Sequence, residues 1–273
     1  MSALGTRLSA VLIALFCATV ASAQTLKIDG SSGAMPLVAA LAKAYEAKTA
    51  GAKIEIGSGL GTKARIDVLK AGGIDVAVAS HGLKAEELVK DGMTVDEIAR
   101  TPVVLGVNTS VTVDNLSQAQ ICEIYSGALT NWKAANGPDL IVQARTRPDG
   151  EVDAEVVRDA IACLKALKMP EAVKVMPRGG DMAKELAATP GAVGMTTTTV
   201  AEQSGGKIKA VSLDGVAPTE ANVTAGKYRL VRAVFLVAKQ DASSATKAFL
   251  DFVTSADGAG VIKANGAIPK AGH

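Results

Sequence analysis

The sequence predicts an α/β protein in which strands and helices alternate along the chain. Short apolar runs of strand type are separated by stretches with apolar residues at helical spacing, and several strands end in turns rich in Gly and Ser. Such alternation is typical of largely parallel sheets covered by helices, with ligand sites at the carboxyl ends of the strands. The 273 residues suffice for one large domain or two smaller lobes.

The predicted elements follow from these patterns. Apolar runs bounded by charged residues or glycines predict strands at 26–29, 53–56, 74–79, 103–107, 140–144, 173–176, 192–195, 208–212 and 228–238. Apolar residues three and four positions apart predict helices at 36–48, 62–71, 117–126, 153–168, 181–188 and 243–264. Pro36 suits the first turn of its helix, where a missing N–H costs nothing.

Residues 1–23 have the composition of an export signal. Arg7 precedes an apolar stretch at 8–20 that is too short to span a bilayer, and Ala-Ser-Ala at 21–23 offers a small-x-small cleavage site. We therefore expect cleavage after Ala23 and an exported, soluble mature chain. Cys17 follows the bulky Phe16, which does not resemble a lipoprotein cleavage box.

Charge and composition exclude several classes of function. A formal net charge of +2 and an aromatic content of 3% argue against a nucleic-acid partner. The Gly-rich stretch at 57–67 lacks the P-loop spacing, and Thr62 stands where G-x-G-x-x-G needs its third glycine, so no nucleotide cofactor is expected. No G-x-S-x-G turn is present, and we expect a binding protein rather than an enzyme.

Two cysteines, Cys122 and Cys163, lie outside the export signal. An oxidising compartment permits a disulfide between them, and we expect one, although two buried thiols in separate helices are the alternative.

The stretch D-G-S-S-G-A-M-P at 29–36 joins a predicted strand to a predicted helix. A strand, a small-residue turn and a helix aim free backbone N–H groups at an anion. An ordinary turn with serine caps fits the same residues, and this stretch alone leaves the two interpretations open.

Several motifs together resemble the periplasmic phosphate-binding proteins of ABC importers. They cover nearly all of the chain after Ala23, in the order that the family has them. The motifs are G-S-S-G-A-M-P-L (30–37), I-D-V-A-V-A-S-H-G-L (74–83), L-S-Q-A-Q-I-C-E-I-Y-S-G-A-L-T-N-W (116–132), R-P-D-G (147–150), G-A-V-G-M (191–195), Y-R-L-V-R (228–232) and F-L-D-F-V-T-S-A-D-G-A-G-V-I-K-A-N-G-A-I-P (249–269).

The resemblance implies a type II periplasmic-binding fold, with two α/β lobes that enclose the ligand between them. Each lobe would hold a mixed, mostly parallel sheet flanked by helices. The expected first lobe is 24–104 with 233–273, the second is 105–232, and the strand crossovers lie near 104–107 and 229–234. Both cysteines then fall in the second lobe, where they could meet on adjacent helices. The implied partners are a small phosphate-like anion and a membrane ABC permease or sensor receptor, with the protein itself a monomer.

The resemblance also implies which residues hold the anion. Backbone N–H groups and a hydroxyl would come from the first loop, a second hydroxyl and N–H from the next loop, and a two-pronged guanidinium from the second lobe, oriented by a carboxylate. In that order these residues are Ser32, Gly33, Ala34 and Met35, then Ser58 and Gly59, then Arg147 with Asp149.

Four residues at two places depart from the family pattern. Glu151, Val152 and Asp153 stand where the family usually has Ser-Gly-Thr, and His81 replaces an acidic residue that accepts a ligand proton. Inward carboxylates would repel an anion, so the ligand would need a donor or positive group, or a cation would have to bridge. Alternatively, both carboxylates turn outward in the first turn of a helix, where they are favourable. Arg178 could supply compensating charge.

The same residues leave a second class of function open. His81, Glu151 and Asp153 could form a metal site of the carboxylate–histidine type.

Overall fold

Two sheets joined by one long strand form the framework. The computed structural model describes residues 25–59, 62–80 and 83–270. The neighbouring strands run β2-β1-β3-β11-β4-β8-β6-β7, with β9 and β12 also paired to β4. The strands are β1 Thr25–Gly30, β2 Lys53–Ile56, β3 Val76–Ala79, β4 Met93–Asn108, β5 Asn115–Leu116, β6 Gln143–Thr146, β7 Lys174–Val175, β8 Ala192–Thr197, β9 Ile208–Ala210, β10 Ser212–Leu213, β11 Val231–Lys239 and β12 Ile268–Pro269.

Helices cover both sheets. They are α1 Met35–Lys48, α2 Thr62–Lys70, α3 Ala85–Lys90, α4 Gln118–Ser126, α5 Val152–Ala160, α6 Ala162–Lys165, α7 Gly179–Ala188, α8 Thr198–Gln203, α9 Glu220–Thr224, α10 Ser244–Thr254 and α11 Ala256–Ala264, with a 3-10 turn at Trp132–Ala135. The mixed sheets with flanking helices confirm the predicted α/β fold. No helix within the described ranges is long and apolar enough to cross a membrane.

The strand β4 belongs to both sheets. Over Met93–Pro102 it pairs antiparallel with β11, and from Val103 onward it pairs with β8. We call the sheet of β1, β2, β3, β11 and the first part of β4 the first sheet, and the sheet of the second part of β4 with β6, β7, β8 and β9 the second sheet. The Val103 N–H donates to the Leu230 carbonyl at 2.8 Å, so the chain passes between the sheets twice at one place. The exact lobe boundaries stay a prediction.

Each sheet has its own apolar core. Behind the first sheet, the buried face of α1 packs with α10 and α11, and the Tyr45 ring lies 5.4 Å from those of Phe249 and Phe252. Behind the second sheet, Trp132 is fully buried and its indole N–H donates to the Gly191 carbonyl at 2.9 Å. Burial of each large side chain contributes about 1.5–3 kcal/mol, and the buried residues behind the first sheet and those behind the second form separate clusters.

The predicted elements differ from the structure in several places, and the short helices α3, α8 and α9 were not predicted. Three differences have an identifiable cause. The strand β4 begins at Met93, ten residues before the prediction, because its first part mixes polar and apolar residues without strict alternation and is easily taken for a loop. The helix predicted at 153–168 breaks at Ile161, whose extended backbone (φ −109°, ψ 98°) places that side chain in the core. The helix predicted at 243–264 breaks at Ser255, which caps α11 by accepting from the Gly258 N–H.

The predicted disulfide is confirmed: Cys122 in α4 bonds to Cys163 in α6, with 6.1 Å between their Cα atoms. The bond closes a loop of 41 residues in the chain. It therefore restricts the unfolded chain and ties two helices over the core of the second sheet.

Removing this disulfide should cost about 4 kcal/mol of unfolding free energy on the loop-entropy argument. Urea unfolding of the oxidised protein and of the Cys122→Ser/Cys163→Ser variant measures the difference. A reducing agent should lower the midpoint of the wild type and leave the double variant unchanged. Equal midpoints for oxidised and reduced wild type would contradict the prediction.

Candidate functional site

The site is built on Asp29 near the end of β1. One oxygen of its carboxylate accepts from the Gly30 N–H at 2.7 Å and the Gly59 N–H at 2.8 Å, and the other lies 2.8 Å from Arg65 Nη2. A side chain on Gly57 would overlap this carboxylate. Asp29 thus clamps the loop after β2 against the loop after β1.

The loop after β1 is buried between the sheets. Ser31, Ser32, Gly33 and Ala34 are all below 9% exposed, and Met35 begins α1. The Ser31 N–H donates to a carbonyl of β3, and the Ala34 N–H donates to the Ser31 carbonyl at 3.0 Å. The Ala34 N–H, expected to face an anion, is therefore used within the turn. The Ser32 hydroxyl contacts residues of the second sheet, whereas the Ser31 hydroxyl contacts Arg232 of β11.

Arg147 reaches this loop from the second sheet. It follows β6, its side chain is fully buried, and its Nη1 donates to the Met176 carbonyl at 2.7 Å. Its Nη2 donates to the Ser32 hydroxyl at 3.0 Å and to a Glu151 carboxylate oxygen at 2.9 Å. Its Nε is buried and has no hydrogen-bond partner among the described residues. The guanidinium therefore connects the two sheets, and its Nε–H is left without a partner in the part of the chain that the structure describes.

A second buried arginine, Arg232 of β11, lies beside the first. Its Nη1 is 2.5 Å from Asp153 of α5, its Nη2 donates to the Ser31 hydroxyl at 2.6 Å, and its Nε donates to the Ser80 hydroxyl at 3.2 Å. Sequence reasoning did not assign Arg232, Ser31 or Ser80 to the site. The one feature of the sequence that could have indicated Arg232 is its charge inside the largely apolar run at 228–238.

Both carboxylates that depart from the family pattern point inward. Glu151 immediately precedes α5 and contacts Arg147 and Ser32, while Asp153 is 3% exposed and contacts Arg232. The alternative in which they turn outward is therefore wrong. Each carboxylate is neutralised by its own guanidinium, so the inward placement does not require a positive group on the ligand. Val152 between them begins α5 and is half-buried.

The expected role of Asp149 is wrong. Its side chain is 81% exposed and forms an ion pair with Arg158 at 2.8 Å. Arg147 is instead oriented by the Met176 carbonyl and by Glu151. Asp149 stands two positions after Arg147 but points away from it, because the turn at 148–150 reverses the chain.

The other predicted residues differ in their placement. Gly59 is buried with φ +72°, and a side chain there would overlap the Ser32 backbone, whereas the neighbouring Ser58 is exposed. His81 lies outside the described residues. Arg178 is exposed and precedes α7, whose first residue, Gly179, is buried against the Ser32 carbonyl.

Around Arg145, two residues before Arg147, the ionisable side chains are neutral or paired. The Tyr125 hydroxyl donates to the Arg145 carbonyl at 3.0 Å, and burial raises the pKa of this tyrosine, so it stays neutral. Hydrogen bonding to the Arg145 side chain lowers the pKa of Glu185 below its usual value. Within residues 25–59, 62–80 and 83–270, no group of three His, Cys, Asp or Glu side chains is arranged to hold a metal ion.

Two sheets sharing a strand, with buried arginines and serines between them, are the architecture of a two-lobed solute-binding protein. The PBP superfamily domain matches residues 18–257, and the chain belongs to this superfamily. The resemblance to phosphate-binding proteins is confirmed as well. The chain is similar to the Bacillus subtilis phosphate-binding protein PstS, with 29% identity over 239 residues that cover 85% of this chain and 76% of the relative.

Solved structures agree with this assignment. A substrate-binding protein from Clostridium perfringens, assigned to phosphate ABC transport and solved with bound phosphate, is 27% identical with a TM-score of 0.75, over 91% of this chain and all of the other. An ABC-type phosphate transport receptor from Vibrio cholerae shares the fold, with a TM-score of 0.61 and 24% identity over 89% of this chain and 99% of the other.

Breaking the Asp153–Arg232 pair should destabilise the protein by about 3–5 kcal/mol, because it leaves a buried charge uncompensated. Asp153→Asn tests this in urea unfolding. The Asp153→Asn/Arg232→Met double variant should lose less than the sum of the single variants.

The matched control is Asp114→Asn, which breaks the exposed pair with Lys209. This change should cost less than about 1 kcal/mol. Equal losses for Asp153→Asn and Asp114→Asn would show that the buried pair does not stabilise the fold.

Proposed function

We propose that this protein is an exported receptor that binds phosphate between its two sheets and delivers it to an ABC importer. The observation that carries the proposal is the contact between Arg147 of the second sheet and Ser32 of the first, a buried cation beside a hydroxyl. The names of the Bacillus subtilis relative and the bound phosphate of the Clostridium perfringens structure support the choice of ligand.

The proposed phosphate site combines one full charge with fixed dipoles. Arg147 would supply the charge and the two-pronged geometry that suits an oxyanion. Ser32, Gly33 and Met35 would supply a hydroxyl and N–H groups at the start of α1, where the helix dipole favours an anion. Gly59, clamped by Asp29, would hold that loop in place. The contribution of Ser58 and His81 remains part of the proposal.

The proposed partner is a membrane permease that accepts phosphate from the closed receptor. The lobes of such a protein would rotate about the strand crossovers, and opening would separate Arg147 from Ser32, which are in contact here. Capture of a solute, rather than catalysis, fits a site whose ionisable groups are paired with one another: the described carboxylates beside Arg147 and Arg232 each contact a guanidinium. The protein would act as a monomer.

Phosphate binding should disappear when Arg147 is replaced. Arg147→Met removes at least two charge-assisted donors, each worth about 1.5–3 kcal/mol, and should weaken phosphate binding at least about 100-fold in calorimetry. Arg100→Met is the control, since Arg100 pairs with Glu97 on the surface, and its affinity should equal that of the wild type. Circular dichroism verifies that both variants fold. Wild-type protein that binds no phosphate would refute the proposed function.

Export should leave a mature chain that begins at Gln24, because the Ala-Ser-Ala site directly precedes this residue. Intact mass of the protein recovered from the periplasm tests this expectation. A full-length mass, or a lipid on Cys17, would contradict it.

A further inference from the structure

We propose that the Glu151 carboxylate is an internal anion that competes with phosphate for Arg147. The proposal rests on the proposed function, since it names the residue that sets the affinity of the same site. It makes Glu151 a determinant of affinity that acts against ligand binding.

The contacts of Glu151 are those of a bound anion. A single oxygen, Oε2, accepts from Arg147 Nη2 at 2.9 Å and from the Ser32 hydroxyl at 3.2 Å. These two donors come from different sheets, and both are donors that we assign to phosphate. An incoming oxyanion and the Glu151 carboxylate therefore cannot use them at the same time.

Glu151 leaves part of the guanidinium unused. The Arg147 Nε is buried and, among the described residues, has no hydrogen-bond partner. A guanidinium presents its N–H groups as a planar fork, and an oxyanion that binds two of them gains more than a one-oxygen contact. An unpaired buried donor costs free energy, and a ligand that reaches Nε would recover it.

Glu151 is also free to leave, whereas Asp153 is not. The Glu151 side chain is 24% exposed, lies just before α5 on extended backbone, and makes no capping hydrogen bond to the helix. The Asp153 side chain is 4% exposed and is held by Arg232, itself 1% exposed. Rotation of Glu151 into solvent thus exposes one uncompensated guanidinium, while the Asp153–Arg232 pair stays intact and neutral.

The free energy gained on phosphate binding is therefore the intrinsic binding free energy of Arg147 and Ser32 less the free energy needed to displace Glu151. Glutamine keeps the size of the side chain and removes its charge. Hydrogen bonds to charged groups are about twice as strong as those between neutral groups, so a glutamine should be easier to displace from Arg147. The Glu151→Gln variant should therefore bind phosphate at least about tenfold more tightly than the wild type.

Calorimetry with inorganic phosphate on the full mature chain tests the proposal. The matched control is Asp159→Asn, which removes one negative charge from the exposed side of the same helix, where Asp159 is 76% exposed. Its affinity should equal that of the wild type. Glu151→Ala is a second variant with the same expected gain, and thermal melting verifies that each variant folds.

The outcomes separate the two proposals. Tighter phosphate binding by Glu151→Gln alone, with a wild type that also binds, supports both the internal anion and the proposed function. Binding by this variant with none by the wild type supports the internal anion and overturns phosphate reception by the natural chain. Unchanged or weaker binding by Glu151→Gln, with a wild type that binds, overturns the internal anion only. An equal gain in Asp159→Asn also overturns it, and no binding by any variant overturns both.

Discussion

The burial of two guanidinium groups between the sheets is the constraint on which the rest of the site depends. Arg147 and Arg232 are each about 1% exposed, and a buried cation without a partner would cost several kcal/mol. Their partners come from both sheets: carboxylates from the segment that begins α5, and hydroxyls from the loops after β1 and β3. Charge compensation therefore brings those loops together, and Asp29 keeps the loop after β2 in register with them.

The sequence predicted the elements that carry a clear apolar pattern. The helix α1 and the strand β2 match their predicted positions within one residue, since each shows a clear apolar pattern with recognisable ends. The first part of β4 was missed because its pattern is half polar. The break at Ile161 depends on burial of that side chain in the core, and the break at Ser255 follows a serine cap inside a continuous apolar pattern. Local periodicity thus gives the elements, and tertiary packing decides their ends.

The site was predicted in part. Arg147 and the loop at 31–35 could be found because a motif places them next to strand ends. Arg232 could not, because its role depends on β11 lying between β3 and β4, a neighbour relation between distant segments. Asp149 was misjudged because it is close to Arg147 in sequence. The turn directs its side chain away from Arg147, and the exposed carboxylate pairs with Arg158.

The change of partner along β4 has a mechanical consequence. Pro102 is the last residue that pairs with β11, and proline has no N–H to donate to a strand ladder. The continuous backbone of β4 resists stretching, but at Pro102, where the two sheets meet, it lacks one hydrogen-bond donor. Bending or twisting of one sheet against the other would thus concentrate at this joint, leaving the apolar cores on either side undeformed. The strand that joins the two sheets would therefore also be the place where one sheet bends relative to the other.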